Sequence, residues 1–129
     1  MYCMTVEYPK TEGSRFDYDY YRDHHMPLCS RLFADHGFRG VVLRTGGGKG
    51  PGSGDLNWVS LDLIFDSAQQ MQAALAAAGQ EVTADVPNYT DVKPRMSFAE
   101  IAVELRWRGP GALNRGRVAS VRSYPGAAR

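Results

Sequence analysis

Short runs in which apolar and polar residues alternate recur along the chain. The clearest is LNWVSLDLIF, where the apolar positions from Val59 to Phe65 fall on one face of an extended strand and their neighbours fall on the other. YCMTVEYP alternates more loosely and ends at a proline, and FRGVVLRT resembles a second strand that is followed by a glycine-rich loop. The pattern predicts strands over residues 2–9, 38–45, 56–65 and 95–105.

Between the first two strands, apolar residues recur at the spacing of one helix face. The spacing predicts a helix over residues 18–36, which begins after Asp17 as the N-cap and ends at the glycine that follows. Tyr21 and His25 fall on its inward face. Pro27 lacks the amide that would bond to the preceding turn, so we expect a kink near His25.

A second helix is predicted after the third strand. Asp66 or Ser67 can cap it, small and apolar residues then recur at helical spacing, and Gly79 is expected to end it. The resulting order, β-α-β-β-α-β, is typical of ferredoxin-like α+β folds. It predicts a four-stranded antiparallel sheet with both helices on one face.

The sheet face that the helices leave uncovered carries large apolar side chains in this prediction. The alternation assigns four of them to it: Trp58, Ile64, Met96 and Phe98. Because so much apolar area is costly to leave in water, we expect a second copy of the chain to cover it, giving a homodimeric α/β barrel. Asp62 and Glu100 would then face a partly enclosed cavity.

The 129 residues are enough for one domain with its own core. Charge divides the chain unevenly, because residues 1–105 hold nine Lys and Arg and all 14 acidic residues, whereas residues 106–129 hold six Arg and no acid. We expect a folded domain over the first range and a basic tail over the second. The tail can dock on its own domain, on a partner subunit or on nucleic acid. Few aromatic residues accompany its arginines, which disfavours nucleic acid.

Several classes of protein are disfavoured by what the sequence lacks. No apolar run is long enough to span a membrane and the first residues do not resemble a signal peptide, so we expect a cytoplasmic protein with no membrane partner. GGGKGPGSG does not match a phosphate-binding loop, and no flavin, haem or nicotinamide motif is present. No pair of histidines or acids has the spacing of a metal site on one helix face. The expectation is a protein without a cofactor or a metal.

A family resemblance rests on three stretches that occur in order: FDYDYYRDHHMPL at residues 16–28, LIFDSAQQMQAAL at residues 63–75 and ADVPNYTDVKP at residues 84–94. Together they resemble the EthD family of dimeric α/β-barrel proteins. The resemblance covers about residues 2–104 and leaves out the basic tail and the glycine-rich loop. It implies the same dimeric architecture.

By this resemblance the family's histidine is His25, and its acidic-loop positions are Asp85 and Asn88. The pKa of histidine suits proton transfer near neutral pH, so His25 is a candidate catalytic acid or base with Asp85 as its partner. In the alternative interpretation, His25 hydrogen-bonds Asp85 or Asn88 and fixes the loop to the helix. We further expect ligand contacts from four residues: Tyr21, Trp58, Asn88 and Phe98.

Two functions are implied by the resemblance. Family members are often described as oxidoreductases, which favours binding of a small hydrophobic or aromatic compound in oxidative catabolism, beside a partner oxygenase. Similar sequences in polyketide pathways act without a cofactor, which favours a decarboxylase, dehydratase or isomerase of a polyketide-like carbonyl compound with His25 as acid or base. A protein that only binds partners through its basic tail is a third class. The fold by itself does not decide among them.

Overall fold

A computed structural model gives the fold of residues 1–106 and 120–123. Four strands form one antiparallel sheet in the order β2-β3-β1-β4. They are β1 (Tyr2–Pro9), β2 (Phe38–Thr45), β3 (Asn57–Phe65) and β4 (Arg95–Glu100). With the helices between β1 and β2 and between β3 and β4, this is the α+β, ferredoxin-like arrangement that the order of elements predicts.

The segment predicted as one helix between β1 and β2 consists of three consecutive parts. They are α1 (Tyr18–Tyr20), a π-helical turn (Tyr21–His25) and α2 (Met26–Phe33). Asp17 caps the first part as predicted, because its carboxylate accepts a hydrogen bond from the Tyr20 amide at 3.0 Å. The segment ends at Phe33 rather than at residue 36, because residues 34–37 form a turn that closes at Gly37 with a φ of 68°.

Pro27 explains the π-helical turn. It has no amide proton for the α-helical bond to residue 23, and just before it the chain closes a wider turn in which the Met26 amide donates to the carbonyl of Tyr21. Within this turn the rings of Tyr21 and His25 are stacked, with 5.1 Å between their centroids, and both are buried. The irregularity predicted at Pro27 is therefore a π-helical turn that keeps the rings of Tyr21 and His25 on the inward face of the segment.

One continuous helix, α3 (Ala68–Asp85), connects β3 to β4. Ser67 is its N-cap and accepts a hydrogen bond from the Gln70 amide at 3.1 Å. The prediction that Gly79 ends this helix is wrong, because the helix continues to Asp85 and Gly79 does not have the positive φ of a C-terminal glycine. Gly79 instead faces the space between the helices and the sheet.

Strand register decides which side chains face the helices. Met4 pairs with Leu63 in β3 and with Phe98 in β4, and Val6 pairs with Met96. Directly opposed residues of antiparallel strands point to the same face, so Met96 and Phe98 lie on the helix side with the core. Our assignment of both to the uncovered face is wrong. The alternation within β4 is present, but its phase relative to β3 is set by the pairing and cannot be obtained from either strand alone.

The uncovered face of the sheet is mainly polar. Asp62 accepts hydrogen bonds there from Thr5 at 2.7 Å and from Arg44 at 2.9 Å. Glu100 pairs with Tyr2, which places it on the helix side of the sheet. The predicted shared cavity for Asp62 and Glu100 is therefore wrong, because the two carboxylates lie on opposite faces.

The last predicted strand is divided in the structure. β4 ends at Glu100, and β5 (Val103–Arg106) then pairs with β6 (Ser120–Ser123) in a separate two-stranded ladder. The rest of the predicted basic tail lies outside the described residues, so the domain boundary and the docking of the tail stay predictions. In the part of the chain that the structure describes, no helix is long and apolar enough to cross a membrane.

The continuity of α3 through Gly79 can be tested with one methyl group. We expect Gly79→Ala to raise the free energy of unfolding by about 0.5–1 kcal/mol, because alanine is the better helix former and its Cβ would meet only Leu75 Cβ at an ordinary 3.9 Å. Urea denaturation followed by circular dichroism measures the change.

The matched control is Gly37→Ala, which we expect to be destabilising. Gly37 has a φ of 68°, a conformation that costs alanine about 1–2 kcal/mol, and a Cβ there would collide with the side-chain amide of Gln70. If Gly79→Ala instead lowers the free energy of unfolding, as we expect for Gly37→Ala, the helical conformation of Gly79 is contradicted.

Candidate functional site

A cavity of about 350 Å³ lies between the sheet and the helices. Its walls are apolar side chains from β1, β3, α2 and α3, among them Met4, Val6, Phe33, Leu61, Leu63 and Leu75. The exposed members of its lining are Thr83, Pro87, Lys93 and Met96. The cavity therefore opens to solvent where the end of α3 approaches β4. Its volume and composition are those of a site for a small organic molecule.

Three buried polar side chains also line this cavity: Tyr8, Tyr21 and His25. His25 is 2% exposed, and its Nδ1 lies 2.8 Å from Oδ2 of Asp85. The π-helical turn places the histidine, and the last residue of α3 places the carboxylate. The predicted hydrogen bond between His25 and Asp85 is therefore present, and it joins the two helical segments.

Two further donors hold Asp85 in place. The Tyr20 hydroxyl donates to Oδ1 at 2.7 Å, and the side-chain amide of Asn88 donates to the same oxygen at 3.0 Å. A 3₁₀ turn (Val86–Asn88) directly after α3 places Asn88 beside the carboxylate. Because Oδ1 is occupied by these donors, Oδ2 is left as the acceptor for the imidazole.

On the other side of the imidazole, two buried tyrosines continue the hydrogen bonding. The Tyr89 hydroxyl lies 3.3 Å from Nε2 of His25 and 2.7 Å from the Tyr8 hydroxyl. Neither tyrosine is among the predicted site residues. The signals for them are that Tyr8 continues the inward alternation of β1 and that Tyr89 directly follows Asn88 in the chain.

Burial sets the protonation states of these groups. It lowers the pKa of His25 below the ordinary value of 6.5, although the hydrogen bond and charge of Asp85 act in the opposite direction. Burial also acts to raise the pKa of Asp85, but hydrogen bonds from its three partners outweigh that effect and the pKa is lowered. Burial raises the pKa of Tyr8 and of Tyr89. At neutral pH the site therefore holds a carboxylate, a neutral imidazole and protonated tyrosines.

The four predicted ligand contacts are placed differently by the fold. Tyr21 lines the cavity, whereas Trp58, Asn88 and Phe98 are outside its lining. Trp58 lies near the end of the sheet, where its indole nitrogen donates to the Ser14 hydroxyl at 2.9 Å. Phe98 is 49% exposed on β4. Contact of any of the four with a ligand stays a prediction.

Cys29 lines the cavity as a small apolar side chain. Burial raises the pKa of its thiol to about 12, so it is protonated at neutral pH and is a poor nucleophile. Within residues 1–106 and 120–123, no group of three or more His, Cys, Asp or Glu side chains is placed to hold a metal ion. The polar groups that could act chemically at this site are therefore Asp85, His25 and the tyrosines.

A family model, the EthD domain, matches residues 12–93 of the sequence. The chain belongs to the EthD family. The resemblance seen in its three sequence stretches is thereby confirmed. In this EthD protein the matched region includes His25, Asp85 and Tyr89, and Tyr8 precedes it.

Two crystal structures show the same fold. That of an EthD-like protein from Ralstonia eutropha JMP134 is 34% identical in sequence, with a TM-score of 0.73 over 80% of this chain and 93% of that chain. That of an ethyl tert-butyl ether D (EthD) family protein from Bacillus halodurans C-125 is 16% identical, with a TM-score of 0.55 over 78% and 98% of the two chains. At 16% identity the likeness concerns the fold alone. No protein of curated function matches the chain.

The lowered pKa of His25 predicts a pH dependence of stability. A histidine that is harder to protonate in the folded state contributes stability that is complete above its unfolded pKa of about 6.5 and is lost as the pH falls through its folded pKa. We therefore expect the free energy of unfolding to decrease when the pH is lowered from 7.5 to 5.5. Urea denaturation at several pH values measures this decrease.

The variant His25→Gln should lose this part of the pH dependence, because glutamine does not titrate. His24 is exposed, and His24→Gln serves as the matched control that keeps the dependence. An unchanged pH profile in His25→Gln would show that His25 is not the group responsible.

Proposed function

We propose that this EthD family protein binds a small hydrophobic or aromatic molecule in the cavity between its sheet and its helices. The observation that carries the proposal is the cavity, with its volume of about 350 Å³, its apolar walls and a buried polar end formed by Tyr8, Tyr21 and His25. Sites for small molecules combine a mainly apolar lining with a few polar groups that orient the ligand. A role in oxidative catabolism beside a partner oxygenase, which the family resemblance favours, belongs to the same proposal.

A homodimer is the assembly that we propose for this function. Met96 and Phe98 lie on the helix side of the edge strand β4, and they are 54% and 49% exposed there. Apolar side chains of this size on an edge strand favour contact with another protein surface. A closed two-fold dimer is the commonest way in which a chain covers such a surface with its own copy.

Binding in the cavity can be tested with 2-naphthol, a fluorescent aromatic molecule of suitable size. We expect one molecule to bind per subunit, and we expect Gly79→Leu to weaken binding about tenfold or more, because the new side chain occupies part of the cavity. Fluorescence titration measures the affinity. Native mass spectrometry of the same samples counts bound molecules and subunits.

The matched control is Ala77→Leu, which adds a similar side chain to an exposed position of α3. It should leave the affinity for 2-naphthol unchanged. Equal weakening by both variants, or no binding by the unaltered protein, would contradict a ligand site in this cavity. A monomer in gentle native conditions would contradict the dimer.

A second candidate function is cofactor-independent proton transfer, which the hydrogen bond between His25 and Asp85 favours. A neutral histidine held by a carboxylate in an apolar cavity is suited to act as a general base. Because Asp85 occupies Nδ1, the proton taken from a substrate ends on Nε2. The hydroxyls of Tyr89 and Tyr8 connect that nitrogen to the cavity wall. Dehydration and isomerisation of carbonyl compounds need such a group to remove a proton, and decarboxylation needs one to deliver a proton to the carbon that loses carbon dioxide.

Proton transfer can be tested without knowledge of the natural substrate. We expect the protein to accelerate exchange of the acidic CH₂ protons of 1-phenylbutane-1,3-dione in D₂O, and His25→Gln and Asp85→Asn to slow the exchange roughly 10²-fold or more. Proton NMR follows the exchange, and circular dichroism confirms that the variants are folded. Absence of acceleration by the folded, unaltered protein, or equal rates in folded His25→Gln, would leave ligand binding as the function.

A further inference from the structure

Both ring nitrogens of His25 are engaged by other side chains. Nδ1 faces the carboxylate of Asp85 at 2.8 Å, and Nε2 faces the hydroxyl of Tyr89 at 3.3 Å. An ionised carboxylate can only accept hydrogen bonds, so Nδ1 carries the single proton of the neutral imidazole. Nε2 is then an acceptor, and Tyr89 must donate to it.

The direction of this first bond fixes the direction of the next ones. A tyrosine hydroxyl has one proton, and Tyr89 gives its proton to His25, so across the 2.7 Å contact Tyr8 must donate to Tyr89. Because the Tyr8 proton is used in this way, the Tyr8 hydroxyl presents only lone pairs to the cavity that it lines. Tyr21 also lines this end, and its own hydroxyl proton can be donated to a ligand oxygen.

From this directed chain we infer that the ligand's polar group is a hydrogen-bond donor, namely the hydroxyl of a phenol or an enol, and that Tyr8 accepts it. The inference rests on the proposed function, because it names the chemical class of the molecule that the cavity binds. An ether or a ketone of the same shape has only lone pairs on its oxygen. Such a molecule can accept a hydrogen bond from Tyr21 but brings no donor to Tyr8 at the buried end, where water is excluded and an unpaired polar group is costly.

The other polar groups of the lining do not change this conclusion. Thr83 and Lys93 can donate hydrogen bonds, but both are exposed and belong to the open side of the cavity. The thiol of Cys29 is buried and is only a weak donor. At the buried end of the described cavity the tyrosine oxygens are thus the groups that orient a ligand.

The test compares two probes that share a ring system. 2-Naphthol can donate a hydrogen bond, whereas 2-methoxynaphthalene cannot and is the more apolar of the two. We expect the full chain to bind 2-naphthol about five- to tenfold more tightly, although an apolar cavity alone would favour the ether. Isothermal titration calorimetry at pH 7 gives both affinities.

Two variants assign the preference to the hydrogen-bond chain. Tyr8→Phe should reduce it to within about twofold, mainly by weakening the binding of 2-naphthol. In Tyr89→Phe the Tyr8 hydroxyl remains, but its proton no longer has Tyr89 as an acceptor and can be donated to a ligand. The ether should therefore gain affinity relative to 2-naphthol. Tyr18→Phe is the matched control, because Tyr18 is exposed and outside the lining, and it should keep the preference.

The outcomes separate this inference from the proposed function. Binding of both probes with equal affinity, or tighter binding of the ether, would overturn the inference and leave the cavity as a ligand site. Binding of neither probe would overturn both. A preference that persists in folded Tyr8→Phe would show that Tyr8 is not the acceptor. If Tyr8→Phe does not fold, the relative gain of the ether in Tyr89→Phe decides, and its absence would overturn the directed chain.

Discussion

The hydrogen bond between His25 and Asp85 is the interaction on which the candidate site depends. It joins the π-helical turn to the last residue of α3, so it fixes how the two helical segments meet over the sheet. It also allows an imidazole to be almost fully buried while neutral, because its one N–H group is paired with a carboxylate. Without this carboxylate the proton of His25 could lie on either nitrogen, and the tyrosines beyond it would have no fixed order of donors and acceptors.

Local pattern predicts much of the fold, and the exceptions have one physical cause. The strand β3, the Asp17 cap and the irregularity at Pro27 are properties of short segments, and each is present in the structure. The face of Phe98 depends instead on pairing between β1 and β4. Likewise Gly79 resembles a helix end locally, yet α3 continues to Asp85, whose carboxylate contacts His25 of the other helical segment. Tertiary contacts decide these features, and one sequence does not contain their geometry.

The candidate site also combines residues that the sequence predicts with residues that it does not. His25 and Asp85 were predictable, because helical spacing turns one inward and the EthD resemblance marks the other. Tyr8 and Tyr89 belong to segments 81 residues apart, and their hydroxyls meet only because β1 passes beneath the turn after α3. Trp58 is predicted as a ligand contact because it is a large aromatic residue in a strand, but the fold places it outside the cavity lining, near the end of the sheet, where it donates to Ser14. Residue type is a weak guide where the partner is distant in sequence.

The two ends of the cavity therefore select a ligand in different ways. The apolar walls contribute affinity for any molecule of suitable shape, and the open side beside Lys93 admits it. The buried end selects by hydrogen-bond direction, since His25 fixes the donor and acceptor roles of the Tyr89 and Tyr8 hydroxyls before a ligand arrives. An unsatisfied buried group costs more than a formed bond gains, so this end discriminates mainly by penalising molecules that lack a donor. The carboxylate of Asp85 thus influences ligand choice without contacting the ligand. It acts through three side chains, His25, Tyr89 and Tyr8.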